Sequence, residues 1–212
     1  IAARGPIGIL TGKVLYKSAP GEVWAAGTDI GLFTGKVRFR HGRDDGSFDR
    51  VRKVGVAPSI IFTRRAHVER YGGFDDRFFA NYDDTEFCFR YRRHGLPTFY
   101  TPRAVGYHDI PLAASGEHRL LDRGYYLARN RILFMRRYGR CYPLFLCLVP
   151  LWCLYYLNRY RRTGRLAGFR DYWRGTRDGL LNRDGRPRGD AVAGEIKRRR
   201  GAGFRRRPTA ET

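Results

Sequence analysis

Asp75, Asp76, Asp83, Asp84 and Glu86 fall within twelve residues of a chain that carries 20 Asp and Glu against 42 Lys and Arg. Aromatic residues fill the space around them in GGFDDRFFANYDDTEFCFRYRRHG, residues 72–95. A carboxylate held among packed aromatics at a cleft edge is how a general base is built: geometry first, then a pKa adjusted by its surroundings. A plainer reading is a capped helix. Asp83 is then the N-cap and Glu86 the N3 partner of a capping box, with Asp in place of Ser or Thr. Acids in the first turn and Arg90, Arg92 and Arg93 near the other end complement the helix dipole. Gly95 sits where a left-handed C-cap belongs. The cap has no use for Asp84, Asp75 or Asp76, nor for Phe74, Phe78, Phe79 and Tyr82.

The elements that must position these acids follow from pattern. IGILTGKVLY (7–16) reads as a short strand, and EVWAAGTDIGLFTGKVRFR (22–40) as short strands and turns broken by glycine. RHGRDDGSFDR (40–50) is a polar loop with a turn at Asp44-Asp45-Gly46. VRKVGVAPSIIFT (51–63) is the clearest strand, and Thr63 is placed to cap a short helix ending at Gly72-Gly73. LPTFYTPRAVGYHD (96–109) reads as two short strands joined around Pro102. Strands alternating with short helices predict an α/β sheet. RLLDRGYYLARNRILFMRRY (119–138) is one helix by pattern. A further helix follows, stopped by Gly185 and Pro187, and the basic tail 187–212 reads as disordered.

The spaced motifs carry a resemblance. VGVAPSIIFTRRAHVERYGGFDDRFFANYDDTEFCFRYRRHGLPTFYTPRAVGYHD resembles the C-terminal, acceptor-side half of an inverting GT-A glycosyltransferase of family 2, in particular its rhamnosyltransferase-like members. That family has a strand, a basic pair and short helix, a GGFDE-x-FF turn, an acidic ED-x-D at a helix start, R-x-x-x-G, and a strand ending in His. EVWAAGTDIGLFTGK resembles its W-x-A-G-G segment, and YYLARNRILFMRRYG its YY-x-x-RN-R helix. The likeness covers about residues 7–138 and weakens to about 186.

The resemblance implies a partial GT-A fold, a mixed sheet with flanking helices, over residues 1–118, followed by C-terminal membrane-associated helices. Asp84 aligns with the catalytic base that takes the proton from the acceptor hydroxyl. Asp83 and Glu86 align with acids that orient Asp84 or the acceptor. Arg129 and Asn130 match the RN pair and are candidate diphosphate contacts. His108 matches a strand-end His that approaches a metal, although a lone His at a strand end is equally an ordinary structural residue. The implied donor is a nucleotide-diphospho-sugar and the implied acceptor a lipid-linked or cell-envelope glycan. A divalent metal, Mg2+ or Mn2+, is implied as cofactor, held mostly by an Asp-x-Asp motif that this sequence lacks. Asp83 replaces the usual Glu and Glu86 the usual Asp, and Ala57-Pro58 stands where relatives often have Gly. With Ile1 as its first residue, the chain is expected to be the acceptor half of a longer enzyme, inactive by itself.

Net charge is +22. Residues 1–118 contribute +5 and residues 119–212 contribute +17. CYPLFLCLVPLWCLYYL (141–157) is free of charge, interrupted by Pro143 and Pro150, and flanked by Arg136, Arg137 and Arg140 before it and Arg159, Arg161 and Arg162 after it. Its length is short for a span and its flanks favour neither orientation. An in-plane or re-entrant segment on the cytoplasmic face of the cell membrane is the expectation for the basic helical region 119–186, with a single span or a buried core helix as alternatives. Cys88, Cys141, Cys147 and Cys153 form no CxxC pair and read as buried free thiols rather than a zinc or disulfide framework. Two rival functions stay open: a basic protein that binds nucleic acid or anionic membrane, and a non-catalytic transferase relative. Absence of any recognition motif weighs against nucleic acid as a partner.

Overall fold

A computed structural model describes residues 6–110 and 117–183. Eight strands occur among them: β1 (Ile9–Tyr16), β2 (Ala19–Ala25), β3 (Thr28–Ile30), β4 (Val37–Phe39), β5 (Gly42–Arg43), β6 (Arg52–Val54), β7 (Phe62–Thr63) and β8 (Thr98–His108). Six α-helices accompany them: α1 (Arg65–Tyr71), α2 (Asp83–Arg93), α3 (Glu117–Asp122), α4 (Gly124–Tyr138), α5 (Tyr142–Arg162) and α6 (Phe169–Leu180). The architecture is α/β, a mixed sheet with flanking helices. The sheet runs β5-β2-β1-β8-β6, with β7 also on β1 and a separate β3-β4 ribbon. β1 and β8 are parallel at its centre, and the other pairings are antiparallel.

The centre is fixed by burial. Along β1 nearly every residue is buried, as expected of a strand covered on both faces. β8 is buried from Thr98 to Thr101 and then alternates. It is one strand, not two. β6 pairs only with Thr98–Tyr100, so Pro102 lies beyond that neighbour's reach. Against β1 the ladder is irregular at this proline: Thr11 faces Tyr100 but Lys13 faces Val105, so the extra residues around Pro102 bulge out of β8. The expected strand 51–63 is interrupted. Pro58 has no donor, Ser59 takes a left-handed φ of 63°, and β6 and β7 are left as short pieces on either side. Thr63 does not cap α1. Its hydroxyl donates to the Gly8 carbonyl at 2.7 Å, tying β7 to the start of β1, and Arg64 holds the cap position.

Segment 119–138 divides at Arg123 into α3 and α4. Close approach of α6 to α4 rests on glycine. A Cβ on Gly175 would lie 2.1 Å from the Tyr125 carbonyl oxygen, and one on Gly179 3.0 Å from that of Arg129. One apolar core runs from Ile9 on β1 through Phe87 and Tyr91 on α2 and Phe134 on α4 to Phe145 on α5 and Tyr172 on α6. A smaller cluster of Leu15, Val23, Phe48, Val54 and Tyr100 fills the other part of the sheet. Of the four thiols, Cys88 alone is buried; Cys147 is exposed and Cys141 and Cys153 are intermediate. α6 ends at Leu180, ahead of the expected stop at Gly185-Pro187, and Asn182 takes a left-handed φ of 52°; Gly185 and the tail 187–212 lie outside the described residues. No helix among the described residues is long and apolar enough to cross a membrane.

Gly175 offers a test with opposed signs. Helix propensity alone favours Ala over Gly by about 1 kcal/mol. The clash with Tyr125 reverses this, and Gly175→Ala is expected to destabilise the fold by about 1–3 kcal/mol in denaturant unfolding.

Candidate active site

The acidic segment is built by an unusual backbone. The Asp75 carboxylate accepts the Arg77 N–H at 3.0 Å and starts a one-turn helix at Asp76–Phe78. Asn81 and Tyr82 then both adopt left-handed φ, 61° and 63°. Asn tolerates that region; a bulky aromatic there is an outlier. The turn is clamped from α4. Asn130 Nδ2 donates to the Ala80 and Asn81 carbonyls at 2.8 and 2.9 Å, and Arg129 donates to the Arg77 carbonyl at 2.6 Å and to that of Arg183 at 3.0 Å. The Tyr82 hydroxyl donates to the Gly35 carbonyl at 3.1 Å and accepts from Arg131 Nε at 3.3 Å.

Helix α2 therefore opens without the expected capping box. Tyr82 is the N-cap and supplies no side-chain bond; its carbonyl accepts the Glu86 N–H at 2.8 Å. Asp83 is the first helical residue, one position too far along to cap. Glu86 turns inward and is fully buried. Its carboxylate accepts from the Tyr138 hydroxyl at 2.8 Å and pairs with Arg90 at 3.2 Å and Arg137 at 3.3 Å. Arg90 also reaches back to the Tyr71 and Gly73 carbonyls, so α1, the turn after it and α2 share one buried ion pair. At the other end the expectation holds: Gly95 is left-handed, φ 74°, and its N–H returns to the Arg92 carbonyl at 3.1 Å.

Among the described residues no cation pairs with Asp83 or Asp84 as Arg90 and Arg137 do with Glu86. Both aspartates are partly exposed by surface area. Protein atoms nonetheless crowd the Asp84 carboxyl, and desolvation first, then the neighbouring Asp83 charge, push its pKa up to about 7. The Thr85 hydroxyl, 3.1 Å from Oδ1, opposes the shift. Desolvation also raises Asp83, against its helix-start amides and Arg123. Partial exposure leaves Asp84 in touch with solvent, while the crowding makes it a stronger base than a solvated carboxylate.

Other expected site residues lie elsewhere or do other work. Arg129 and Asn130 are fully buried, with donors spent on main-chain carbonyls of the acidic turn. His108 ends β8 opposite Tyr16, its ring tilted on Trp24 with centroids 4.5 Å apart. Its neighbour Asp109 pairs with Lys17 at 2.9 Å. Among the described residues no three His, Cys, Asp or Glu side chains come together as a metal site. One imidazole on an indole does not by itself make the oxygen-rich sphere that Mg2+ or Mn2+ demands.

Two features had little signal in the sequence. Cys88 Sγ, one turn after Asp84, accepts the Ala57 N–H at 3.3 Å and ties the loop after β6 to α2. Desolvation lifts its pKa to about 12, so it is a packing and hydrogen-bonding group, not a nucleophile. The left-handed Tyr82 has no composition cue beyond the Asn before it. No protein-family model and no curated protein matches the chain.

Removing the clamp should be felt locally. Asn130→Ala leaves two carbonyls of a strained turn unpaired and is expected to cost about 1–3 kcal/mol by denaturant unfolding. Asp84 has its own signature. Its folded pKa lies above the ordinary 3.8. Its contribution to stability is therefore intact below about pH 4 and is lost as pH rises through about 7. Asp84→Asn removes that dependence, so the variant is expected to gain stability over wild type as pH increases across this window. Unfolding curves for the two proteins at several pH values check the sign.

Proposed function

We propose that the chain is the acceptor-side part of an inverting glycosyltransferase, with Asp84 as the general base. The observation that carries this reading is the Asp84 carboxyl itself: partly exposed, desolvated, poised near neutral pH, and set in the first turn of α2, just after a strained turn that α4 holds in place. A cap has no need of such an arrangement, and Glu86, the other half of the presumed cap, is engaged elsewhere. The resemblance to family 2 GT-A glycosyltransferases assigns the base to this position, and the α/β sheet with flanking helices is compatible with part of that fold.

In this reaction an acceptor hydroxyl hydrogen-bonds to the Asp84 carboxylate. As its oxygen attacks the anomeric carbon of a nucleotide-diphospho-sugar, the proton passes to Asp84. The bond from the anomeric carbon to the diphosphate oxygen breaks on the opposite face, and the nucleoside diphosphate leaves with the electron pair. One carboxylate suffices because attack and departure lie on opposite sides. A pKa near the working pH balances the fraction ionised against basicity. Donor contacts are assigned to residues outside this chain, since no Asp-x-Asp motif stands in it. Arg129 and Asn130 then act as positioning residues for the base, and Asp83 tunes it through its adjacent charge.

The test is Asp84→Asn in the full-length protein, assayed for sugar transfer. Transfer is expected to fall about 10²–10⁴-fold, the usual worth of a positioned base, with donor binding retained. Wild-type rate should climb with pH through about 7, and Asp83→Asn should move that inflection downward. Turnover of Asp84→Asn close to wild type removes the base assignment.

A further inference from the structure

The uncharged run 141–157 folds into most of α5, a helix of 21 residues with two unlike faces. The inner face, Phe145, Val149, Tyr156 and Tyr160, is buried. Its polar tips point into the protein: the Tyr156 hydroxyl accepts from Arg131 at 3.1 Å, and that of Tyr160 donates to the Leu121 carbonyl at 2.6 Å. The outer face is exposed and aliphatic. Leu144, Leu151 and Leu154 are 48, 61 and 63% exposed and Tyr155 46%. Cys147 and Pro150 continue the same stripe at helical spacing. Between residues 144 and 155 this gives an apolar ridge of about 17 Å. A helix facing water normally carries charge on its outer side, yet here the first exposed charges are Arg161 and Arg162, at the C-terminal end of the ridge.

We propose that this face of α5 lies in the plane of an anionic lipid bilayer. The leucine stripe would enter the boundary between headgroups and acyl chains, with Tyr155 at the interface and Arg161 and Arg162 on lipid phosphates. Charge selects this occupant over a second copy of the chain. Self-association brings together two chains of net charge +22, which repel, whereas an anionic surface attracts them. Lying flat also agrees with the lack, among the described residues, of a helix fit to span. The inference is independent of the transfer reaction, because it rests on α5 and not on Asp84.

Vesicles of phosphatidylglycerol and phosphatidylcholine, sedimented with the full chain, provide the test. Salt near 0.5 M shortens the reach of charge to a few ångströms and isolates the apolar contribution. Wild type should remain bound there. Leu151→Glu with Leu154→Glu should weaken binding by about tenfold or more, with circular dichroism unchanged because both side chains are exposed. As a second variant, Arg161→Gln with Arg162→Gln should lower binding by about tenfold at low salt. Wild type released at the higher salt overturns the proposal, as does a double Glu variant that binds as wild type does. So does a concentration-dependent dimer in sedimentation velocity that the Glu variant abolishes, since a second copy would then own the face.

Discussion

Two consecutive left-handed residues, Asn81 and Tyr82, decide how the acidic segment is presented. A non-glycine residue held there costs roughly 1–3 kcal/mol and persists only when its surroundings over-determine it. Here they do so from two sides. Asn130 and Arg129 hold the carbonyls of the turn, and the Tyr82 phenol is fixed between the Gly35 carbonyl and Arg131. Glycine would remove the strain but also the phenol, and with it the link from the turn to α4 and to the loop at Gly35. Because the turn is rigid, the first turn of α2 leaves it in one direction, and Asp83 and Asp84 go with it.

The same geometry separates carboxylates that look equivalent in the sequence. Glu86 lies two residues after Asp84, yet the helix carries it to the buried side, where Tyr138, Arg90 and Arg137 meet it. A buried carboxylate with that many donors is a structural tie whose loss would leave cations unpaired. Asp75 is spent on its own one-turn helix and on Arg137 at 3.3 Å. Asp84 has a hydroxyl for a partner and an acid for a neighbour. A basic chain thus gathers acids at one place for more than one reason: some fasten the segment, and a pair is left desolvated and partly exposed. Desolvation raises the pKa of both Asp83 and Asp84, so this pair carries a stability cost that the fastening acids around it do not.

How legible this was depended on how local the cause was. β1, α1 and the Gly95 stop are written in short-range patterns of apolar residues and glycine, and they fold as read; α6 forms but ends at Leu180, before the glycine and proline expected to stop it. The capping box failed because a sequence shows which residues can cap, not the φ of the residue before them. The division of 96–109 into two strands was half legible: Pro102 does break the ladder with β1, but as a bulge within one continuous strand rather than as a separation. The RN pair stood out in the sequence, but its targets are carbonyls about fifty positions away, a separation that no local pattern encodes. The close packing of α4 on α6 was missed for the same reason, since Gly175 and Gly179 acquire meaning only beside Tyr125 and Arg129.

Arg131 joins these threads. It is 4% exposed, and its guanidinium donates to the phenols of Tyr82, Tyr156 and Tyr172 and lies 4.0 Å over the Trp152 ring. Arginine stays charged even when buried, so phenol oxygens and an aromatic face must replace its water. Those partners come from α5, α6 and the left-handed turn, and the apolar core is likewise continuous from β1 to α6. The inner face of α5 is polar at its tips because it must solvate this cation. Leu144, Leu151 and Leu154 are left on the outside. The acidic turn and α5 are therefore linked through one buried charge, and displacing α5 would disturb the Tyr82 phenol at the start of α2.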